Sequence, residues 1–326
     1  MAKATAVANP NIAFIKYWGK ANDTLNLPAN PSLSMNLAAL TTITTVEFRP
    51  GLPRDVVMID GAPAPQQALA RVVAHLDRVR RLAGIEQWAL VESRSDFPVG
   101  TGLASSASAF AALTLAATQA AGLWLDSNEL SRLARRGSGS ACRSVPGGYA
   151  LWDGDRDKTS FARQVAPPEY WALRDVVAII SHQHKKIGSH DGHGLANGSP
   201  FHASRVAAVP ELLMATEEGL RQRALGVIGP AMEADSLAMH GVMLTSQPPL
   251  LYWEPATVTV LKAVRAWRGG GLGVFFTMDA GPNVHCICEA GDAAEVRKRL
   301  LGVQGVQEVL TSGPGGEARP VEHHLF

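Results

Sequence analysis

Residues 107–125 form an apolar run that approaches the length of a membrane span, and this run limits the folds open to the chain. The run is interrupted at Ser108, Thr114, Thr118, Gln119 and Gly122. These interruptions favour a helix buried in a globular core over a helix that crosses a bilayer. A chain of 326 residues with 46% hydrophobic content can supply such a core, in one large domain or in two.

Strand and helix patterns alternate in the first half of the chain and change to long helices near residue 180. The first half has predicted strands at 41–48, 56–59, 88–93, 147–152 and 176–181, and predicted helices at 66–82, 107–123 and 126–136. The second half has predicted helices at 210–225, 256–267 and 293–301, with the segment 232–245 between the first two, and predicted strands at 274–278, 284–289 and 306–310. We therefore predict two domains, residues 1–180 and 181–326, and a loose tail at 313–320.

Two helices carry more specific expectations. Asp126 and Glu129 have the spacing of a capping box, so we expect them to begin the third helix. We expect Arg135 and Arg136 to lie at its solvated end, where cations suit the helix dipole. The Arg and Asp residues of the 66–82 helix are predicted to lie on the face opposite its apolar stripe.

Charge and cysteine content exclude some classes of protein. Thirty basic and 29 acidic residues give a net charge of +1, so the chain has no global field for nucleic acid or an anionic membrane. The odd cysteine count (Cys142, Cys286 and Cys288) argues against a disulfide framework and predicts a reducing, cytoplasmic location. The first residues do not form a secretory leader pattern. Close histidine pairs at 182/184 and 190/193 lack a third ligand, so no structural metal is expected.

Residues 98–109 (PVGTGLASSASA) place glycines and hydroxyls at the mouth of the predicted Ala-rich helix. Glycine lets a backbone approach a ligand closely, and a helix start offers unpaired N–H groups to an anion. This pattern predicts a phosphate cradle, although Gly and Ser are also common as plain loop and cap residues. The P-loop pattern, with its Lys-Ser/Thr pair, is absent.

Three further groups could carry chemistry. Lys16 and Lys20 flank Tyr17 and Trp18, which suits an anionic ligand with a short hydrocarbon part; the alternative is a strand end with solvated lysines. Ser138, Ser140 and Arg143 lie in a Gly/Ser segment that could hold phosphate oxygens or a carboxylate, and that could also be a plain turn. Asp279 ends an apolar strand before a Gly-Pro turn, where an aspartate could move a proton or simply form the turn.

Taken together, these segments resemble the mevalonate diphosphate decarboxylase family of the GHMP kinase superfamily. The resemblance is carried, in the family's order, by residues 11–20 (NIAFIKYWGK), 102–109 (GLASSASA), 135–143 (RRGSGSACR) and 276–283 (FTMDAGPN). It implies a two-domain α+β, GHMP-kinase-like fold, with a ribosomal-protein-like βαβ N-terminal domain and a ferredoxin-like C-terminal domain. It places the active site in the cleft between them.

The resemblance also implies ATP and Mg²⁺ as cofactors and a small-molecule substrate, a phosphorylated mevalonate. ATP phosphorylates the tertiary hydroxyl of that substrate, and the new phosphate then leaves as CO₂ is lost, giving an isopentenyl product. A homodimer is usual in such families. A kinase of the same superfamily that stops at the phosphorylated alcohol, and a non-catalytic RNA-binding protein, are the rival interpretations.

Roles follow position by position from the resemblance. Asp279 matches the aspartate that orients or deprotonates the hydroxyl, Arg143 the arginine that holds the carboxylate, and Lys16 the catalytic lysine. Substrate-binding positions are matched by Tyr17, Trp18, Lys20, Ser138, Gly139, Ser140, Ser189 and His190. The ATP phosphate loop is matched by Gly102, Ser105, Ser106 and Ser108, with Ser105 as the metal ligand.

One position departs from the pattern of some bacterial members. An arginine that contacts the substrate's diphosphate in those members is replaced by His190, and Asp191 follows it. A mostly neutral imidazole beside a carboxylate is a poorer host for a second phosphate than a guanidinium. We therefore predict mevalonate 5-phosphate as the preferred substrate, with mevalonate 5-diphosphate as the alternative.

Overall fold

The computed structural model describes residues 3–97, 105–183 and 187–326, apart from the side chain of His190. The α-helices are α1 (Gln66–Ala83), α2 (Ser105–Ala120), α3 (Ser127–Gly137), α4 (Ser189–Gly194), α5 (His202–Gln222), α6 (Leu225–Thr245), α7 (Pro255–Gly269) and α8 (Ala293–Leu301). The first strands are β1 (Lys3–Ala8), β2 (Asn11–Ile15), β3 (Lys20–Asn22), β4 (Leu27–Pro28), β5 (Ser32–Asn36), β6 (Thr42–Arg49), β7 (Val56–Ile59) and β8 (Ala62–Pro63). The later strands are β9 (Trp88–Ser95), β10 (Tyr149–Asp153), β11 (Phe161–Ala166), β12 (Leu173–Ile179), β13 (Val274–Thr277), β14 (Val284–Glu289), β15 (Glu308–Ser312) and β16 (Arg319–Val321).

The first half of the chain forms two sheets around α2. One sheet has the order β16-β1-β6-β9-β7-β8 and the other β11-β10-β5-β2. Helix α2 is buried on nearly every side and packs on β1 and β6, which explains its apolar composition. Among the described residues, no helix has both the length and the apolar character that crossing a membrane requires.

Helix α3 shows one prediction confirmed and one wrong. The capping box is present, because Asp126 accepts a hydrogen bond from the Glu129 amide and the Glu129 side chain accepts one from the Asp126 amide. Arg135, however, is fully buried instead of solvated. Its guanidinium donates to the Ser160 carbonyl at 2.7 Å and pairs with Asp157. A segment that sequence patterns left as a polar excursion folds over this helix end, and it includes β11.

The second half contains a sheet with the order β13-β14-β12-β15. Helices α7 and α8 pack on it, and α6 contacts both β13 and β2 of the first half. The predicted start of a helix at residue 210 is wrong, because α5 begins at His202 and continues through Pro210. Proline is common in the first turn of a helix, which is why a start was predicted at Pro210. Here the helix continues through Pro210 and lacks one internal hydrogen bond at that position.

One hydrophobic core joins the two halves. It includes Phe14 from β2, Tyr149 from β10, Val177 from β12, Met232 from α6 and Ile287 from β14. The cleft between the halves therefore has a packed floor, and residues that extend from β2, α6 and β13 are held close to one another.

The end of the chain is packed, so the prediction of a loose tail is wrong. The Gly315 carbonyl accepts a hydrogen bond from the Gly148 amide at 2.8 Å, and β16 pairs with β1 in an antiparallel arrangement. A Cβ on Gly147 would lie 2.6 Å from the Glu317 nitrogen. Backbone therefore packs directly on backbone here, and only glycine permits this approach.

Candidate active site

A cavity of about 380 Å³ lies at the junction of the two halves. Most of the residues predicted for the site line it, namely Lys16, Tyr17, Trp18, Lys20, Ser105, Ser106, Ser138, Gly139, Ser140, Arg143, Ser189 and Asp279. Gly102 and the side chain of His190 lie outside the described residues. The structure thus brings segments from both ends of the chain to one cavity.

Lys16 and Asp279 form an ion pair at the floor of this cavity. Lys16 follows β2 and Asp279 follows β13, and the Lys16 Nζ lies 2.7 Å from Asp279 Oδ1. The Lys16 side chain is almost fully buried, whereas 27% of the Asp279 side chain is exposed. The carboxylate is therefore the member of the pair that a ligand in the cavity can reach.

The electrostatic surroundings keep the Asp279 carboxylate ionised. Burial by itself would raise the pKa of Asp279, but Lys16, His285 and Arg143 outweigh it, so the pKa is lowered. Burial lowers the pKa of Lys16, and the charges of Asp279 and Asp235 oppose that shift. An ionised carboxylate can accept a proton from a hydroxyl group held beside it.

Arg143 is anchored from behind and lines the same cavity. It lies in a 3₁₀ turn, Gly139–Ser144, and its Nε and Nη1 donate to Asn11 Oδ1 (3.2 Å) and Ser32 Oγ (2.6 Å). Its Nη2 bonds to no described residue. Only 3% of Arg143 is exposed, and burial lowers its pKa. A guanidinium fixed in this way is prepared to bind a planar anion such as a carboxylate.

Aromatic rings form a second wall. The His193 ring lies against both Tyr17 (4.1 Å between centroids) and Trp18 (4.6 Å), and Tyr17 packs edge-on against Trp152. Burial raises the pKa of Tyr17, so its hydroxyl stays protonated. The Tyr17 hydroxyl and the Trp18 Nε1 are buried without a hydrogen-bond partner among the described residues. Such groups are costly unless a ligand or water satisfies them.

Hydroxyl groups form another part of the cavity wall. Ser105 and Ser106 are the first residues of α2, and the Ser138 hydroxyl lies 3.4 Å from that of Ser106. Ser108 is not among the cavity-lining residues, although it was predicted to bind the cofactor. Its hydroxyl is buried and bonds to Thr42 at 2.7 Å and to the Ser105 carbonyl at 3.2 Å. Ser108 lies one helical turn beyond Ser105, on the part of α2 that faces the core, and its contacts are those of a core residue.

Arg71 is a site residue that sequence reasoning missed. It was assigned to the outer face of its helix, yet it lines the cavity and donates to the Gly137 carbonyl at 3.2 Å. Its guanidinium lies over the Phe110 ring, and its Nε is buried without a partner among the described residues. Burial lowers its pKa and the Asp191 charge opposes that shift. Because α3 covers this face of α1, no periodicity within α1 could reveal it.

The comparisons with known proteins agree on a family. A family model described as "Diphosphomevalonate decarboxylase-like N-terminal domain" matches residues 8–162, and "Mevalonate 5-diphosphate decarboxylase C-terminal domain" matches residues 175–313. The chain belongs to the diphosphomevalonate decarboxylase family. It is therefore an enzyme of the ATP-dependent decarboxylase class, and the expected two-domain α+β fold is confirmed. The domain boundary at residue 180 stays a prediction.

Two curated members of the diphosphomevalonate decarboxylase family are similar over nearly the whole chain. The diphosphomevalonate decarboxylase of Aspergillus fumigatus is 36% identical, with 96% of this chain and 83% of the relative covered. The phosphomevalonate decarboxylase of the archaeon Haloferax volcanii is 33% identical, with 94% and 98% covered.

Solved structures of the diphosphomevalonate decarboxylase family match equally well. The Staphylococcus aureus mevalonate diphosphate decarboxylase is 34% identical, with a TM-score of 0.94 and 98% of each chain covered. A complex described as "MDDEF in complex with MVAPP, AMPPCP and Magnesium" is 38% identical, with a TM-score of 0.92 and coverage of 98% and 99%.

Proposed function

We propose that this chain is a mevalonate 5-diphosphate decarboxylase. It consumes ATP to phosphorylate the tertiary hydroxyl of mevalonate 5-diphosphate, and loss of that phosphate and of CO₂ gives isopentenyl diphosphate, ADP and phosphate. The observation that carries the proposal is the Lys16–Asp279 pair in the same cavity as the anchored Arg143. A plain kinase needs a group beside the hydroxyl, but decarboxylation also needs a cation that holds the carboxylate.

Asp279 and Lys16 act on the hydroxyl. The Asp279 carboxylate accepts the hydrogen of the tertiary hydroxyl and orients its oxygen for phosphoryl transfer. The Lys16 ammonium, 2.7 Å from Asp279, keeps that carboxylate ionised and adds positive charge where negative charge develops. The backbone of each is held by hydrogen bonds, from the Lys16 amide to Asp235 and to the Asp279 carbonyl from the Gly281 amide at 2.7 Å, so little reorganisation is needed when the reaction begins.

Arg143 acts on the carboxylate. Its Nε and Nη1 are committed to Asn11 and Ser32, and its Nη2, which bonds to no described residue, is available to the substrate. When the phosphate leaves carbon 3, the electron pair of the bond between carbon 2 and the carboxylate forms the new double bond, and CO₂ departs. A guanidinium that fixes the carboxylate aligns that bond with the leaving group.

The cavity walls fit ATP and Mg²⁺. Hydroxyls of Ser105, Ser106 and Ser138 meet at the start of α2, where backbone N–H groups favour phosphate oxygens. When bound, ATP supplies the phosphoryl group and Mg²⁺ neutralises charge on its phosphates. Ser105 is our proposed metal ligand, and a hydroxyl oxygen is a donor that Mg²⁺ accepts. Radiolabelled ATP binding by Ser105→Ala, with and without Mg²⁺, tests that assignment.

The phosphates of the substrate have several candidate partners. Lys20, the Tyr17 hydroxyl and Arg71 line the cavity as cations or donors, and Ser189 begins the short helix α4 on the facing side. Arg71 and Arg143 are the two arginines that line the cavity. The positive charge of Arg71 compensates for the arginine that His190 replaces. This favours the diphosphate over the monophosphate preference that the sequence suggested, as do the names of most relatives.

Mevalonate 5-phosphate remains a second candidate, because Asp191 places a carboxylate in the cavity and the Haloferax relative is named for that substrate. Steady-state release of CO₂ and formation of ADP, measured with both substrates, decide between them. We expect a larger kcat/KM with the diphosphate. A clear preference for the monophosphate would reverse the assignment, and ADP without CO₂ would identify a kinase.

We also propose that the protein is a homodimer, as the resemblance implied. Light scattering after gel filtration gives the mass directly, and a mass near the 34.6 kDa of one chain would contradict this.

A further inference from the structure

A buried ion pair that no sequence motif indicated lies behind Lys16. Arg205 of α5 and Asp235 of α6 are both almost fully buried, and the Arg205 Nη2 lies 2.9 Å from Asp235 Oδ1. Neither residue lines the cavity. Two charges removed from water are costly unless they are paired and fully hydrogen-bonded, so their partners are informative.

Their partners include both backbone polar groups of Lys16. The Asp235 Oδ2 accepts a hydrogen bond from the Lys16 amide at 2.6 Å. The Lys16 carbonyl accepts from Arg205 Nη2 and from Asn30 Nδ2, each at 2.9 Å. Asn30 in turn accepts from Arg205 Nη1 at 3.0 Å. Side chains of two helices from the second half therefore hold the backbone of a residue from the first half.

We propose that Arg205 and Asp235 are positioning residues that hold Lys16 against Asp279, so that they act on catalysis through Lys16. This rests on the function proposed above. The β2 strand ends at Ile15, so no strand pairing restrains Lys16. The ion pair replaces that restraint at the point where the two halves meet.

The charge balance around Lys16 supports this role. The charged groups that face Lys16 are Asp279 after β13, Asp235 on α6, Arg143 in the 3₁₀ turn and Arg205 on α5. Burial lowers the pKa of Lys16, Arg143 lowers it further, and Asp279 and Asp235 raise it. Removing the Asp235 charge therefore brings the loss of the Lys16 proton closer to neutral pH.

The test compares Asp235→Asn with the double variant Arg205→Gln/Asp235→Asn. The single variant leaves the buried Arg205 charge without its partner and so can fail to fold, whereas the double variant removes both charges. In both variants we expect kcat to fall about 10-fold or more and KM to stay within about threefold. In Asp235→Asn, which removes a negative charge alone, we also expect the alkaline limb of the kcat profile to move to lower pH. The matched control is Glu233→Gln. Glu233 is on the same helix, pairs with Arg268 at 2.7 Å and is also buried.

A purely structural pair would lower the melting temperature in all three variants and leave the kcat of the folded Asp235 variants unchanged, which would overturn the proposal. Lysine ¹³Cε resonances, with Lys16→Met for assignment, report the Lys16 titration without substrate. An unshifted titration in folded Asp235→Asn would also overturn it. A wild-type chain that releases no CO₂ would refute the proposed function, whereas the lysine titration would still decide the role of the ion pair.

Discussion

Replacing Arg143 with lysine separates charge from geometry at the carboxylate. Lysine keeps a positive charge but cannot bond to Asn11 and Ser32 and present a third nitrogen to the substrate. A charge-assisted hydrogen bond in a buried site contributes about 1.5–3 kcal/mol. We therefore expect kcat/KM for CO₂ release to fall about 10- to 150-fold in Arg143→Lys. Arg143→Ala removes the charge as well, so its loss should be larger.

The assay measures CO₂ released from substrate labelled at the carboxyl carbon, with ADP measured in the same reaction. Arg163→Ala is a suitable control, because Arg163 forms an ion pair with Asp153 at 2.9 Å but is about half exposed and lies away from the cavity. We expect this control to keep the parent rate. If folded Arg143→Ala released CO₂ within about a factor of two of the parent, the guanidinium would have no part in holding the carboxylate.

Three further predictions follow from the same geometry. Asp279→Asn should abolish turnover while ATP binding, followed by calorimetry, stays nearly intact; appreciable turnover would remove its role at the hydroxyl. Gly139→Ala would place a Cβ 2.5 Å from the Tyr17 ring, so we expect KM to rise about 10-fold as Tyr17 is displaced, and an unchanged KM would contradict this. Burial lowers the pKa of His75 from 6.5 to about 3, so the stability that its neutral form contributes above pH 6.5 is lost as pH falls toward 3, at up to about 1.4 kcal/mol per pH unit. His75→Gln should flatten the acid side of a melting-temperature profile, and an unaltered slope would refute that cause.

The sequence could predict those features of the fold and of the site that depend only on neighbouring residues in the chain. Helix α8 occupies the residues at which the sequence predicted a helix, and the Asp126–Glu129 capping box forms as its spacing predicted. Lys16 and Asp279 were each recognised within a local motif, although they lie 263 residues apart along the chain. Such motifs can be recognised from the sequence because each lies within one short segment.

The rest depended on contacts between segments. Arg71 and Arg135 look like surface residues in their own helices, and only the elements packed over them create their buried positions. The Arg205–Asp235 pair has no local signal, because its purpose appears only once α5, α6 and the end of β2 meet. Strand β11 escaped notice because its burial does not alternate along the strand.

The final strand, β16, protects the edge of a sheet from pairing with other chains. It covers the edge of β1, and beyond it the Phe326 carbonyl accepts a hydrogen bond from Lys3 at 2.6 Å. Trimming the protein after residue 312 would uncover a row of unpaired amides on β1, a surface on which other chains can add strands. Such a shortened protein should self-associate even though every cavity residue named above is retained. We therefore expect it to lose solubility although the site itself is unchanged.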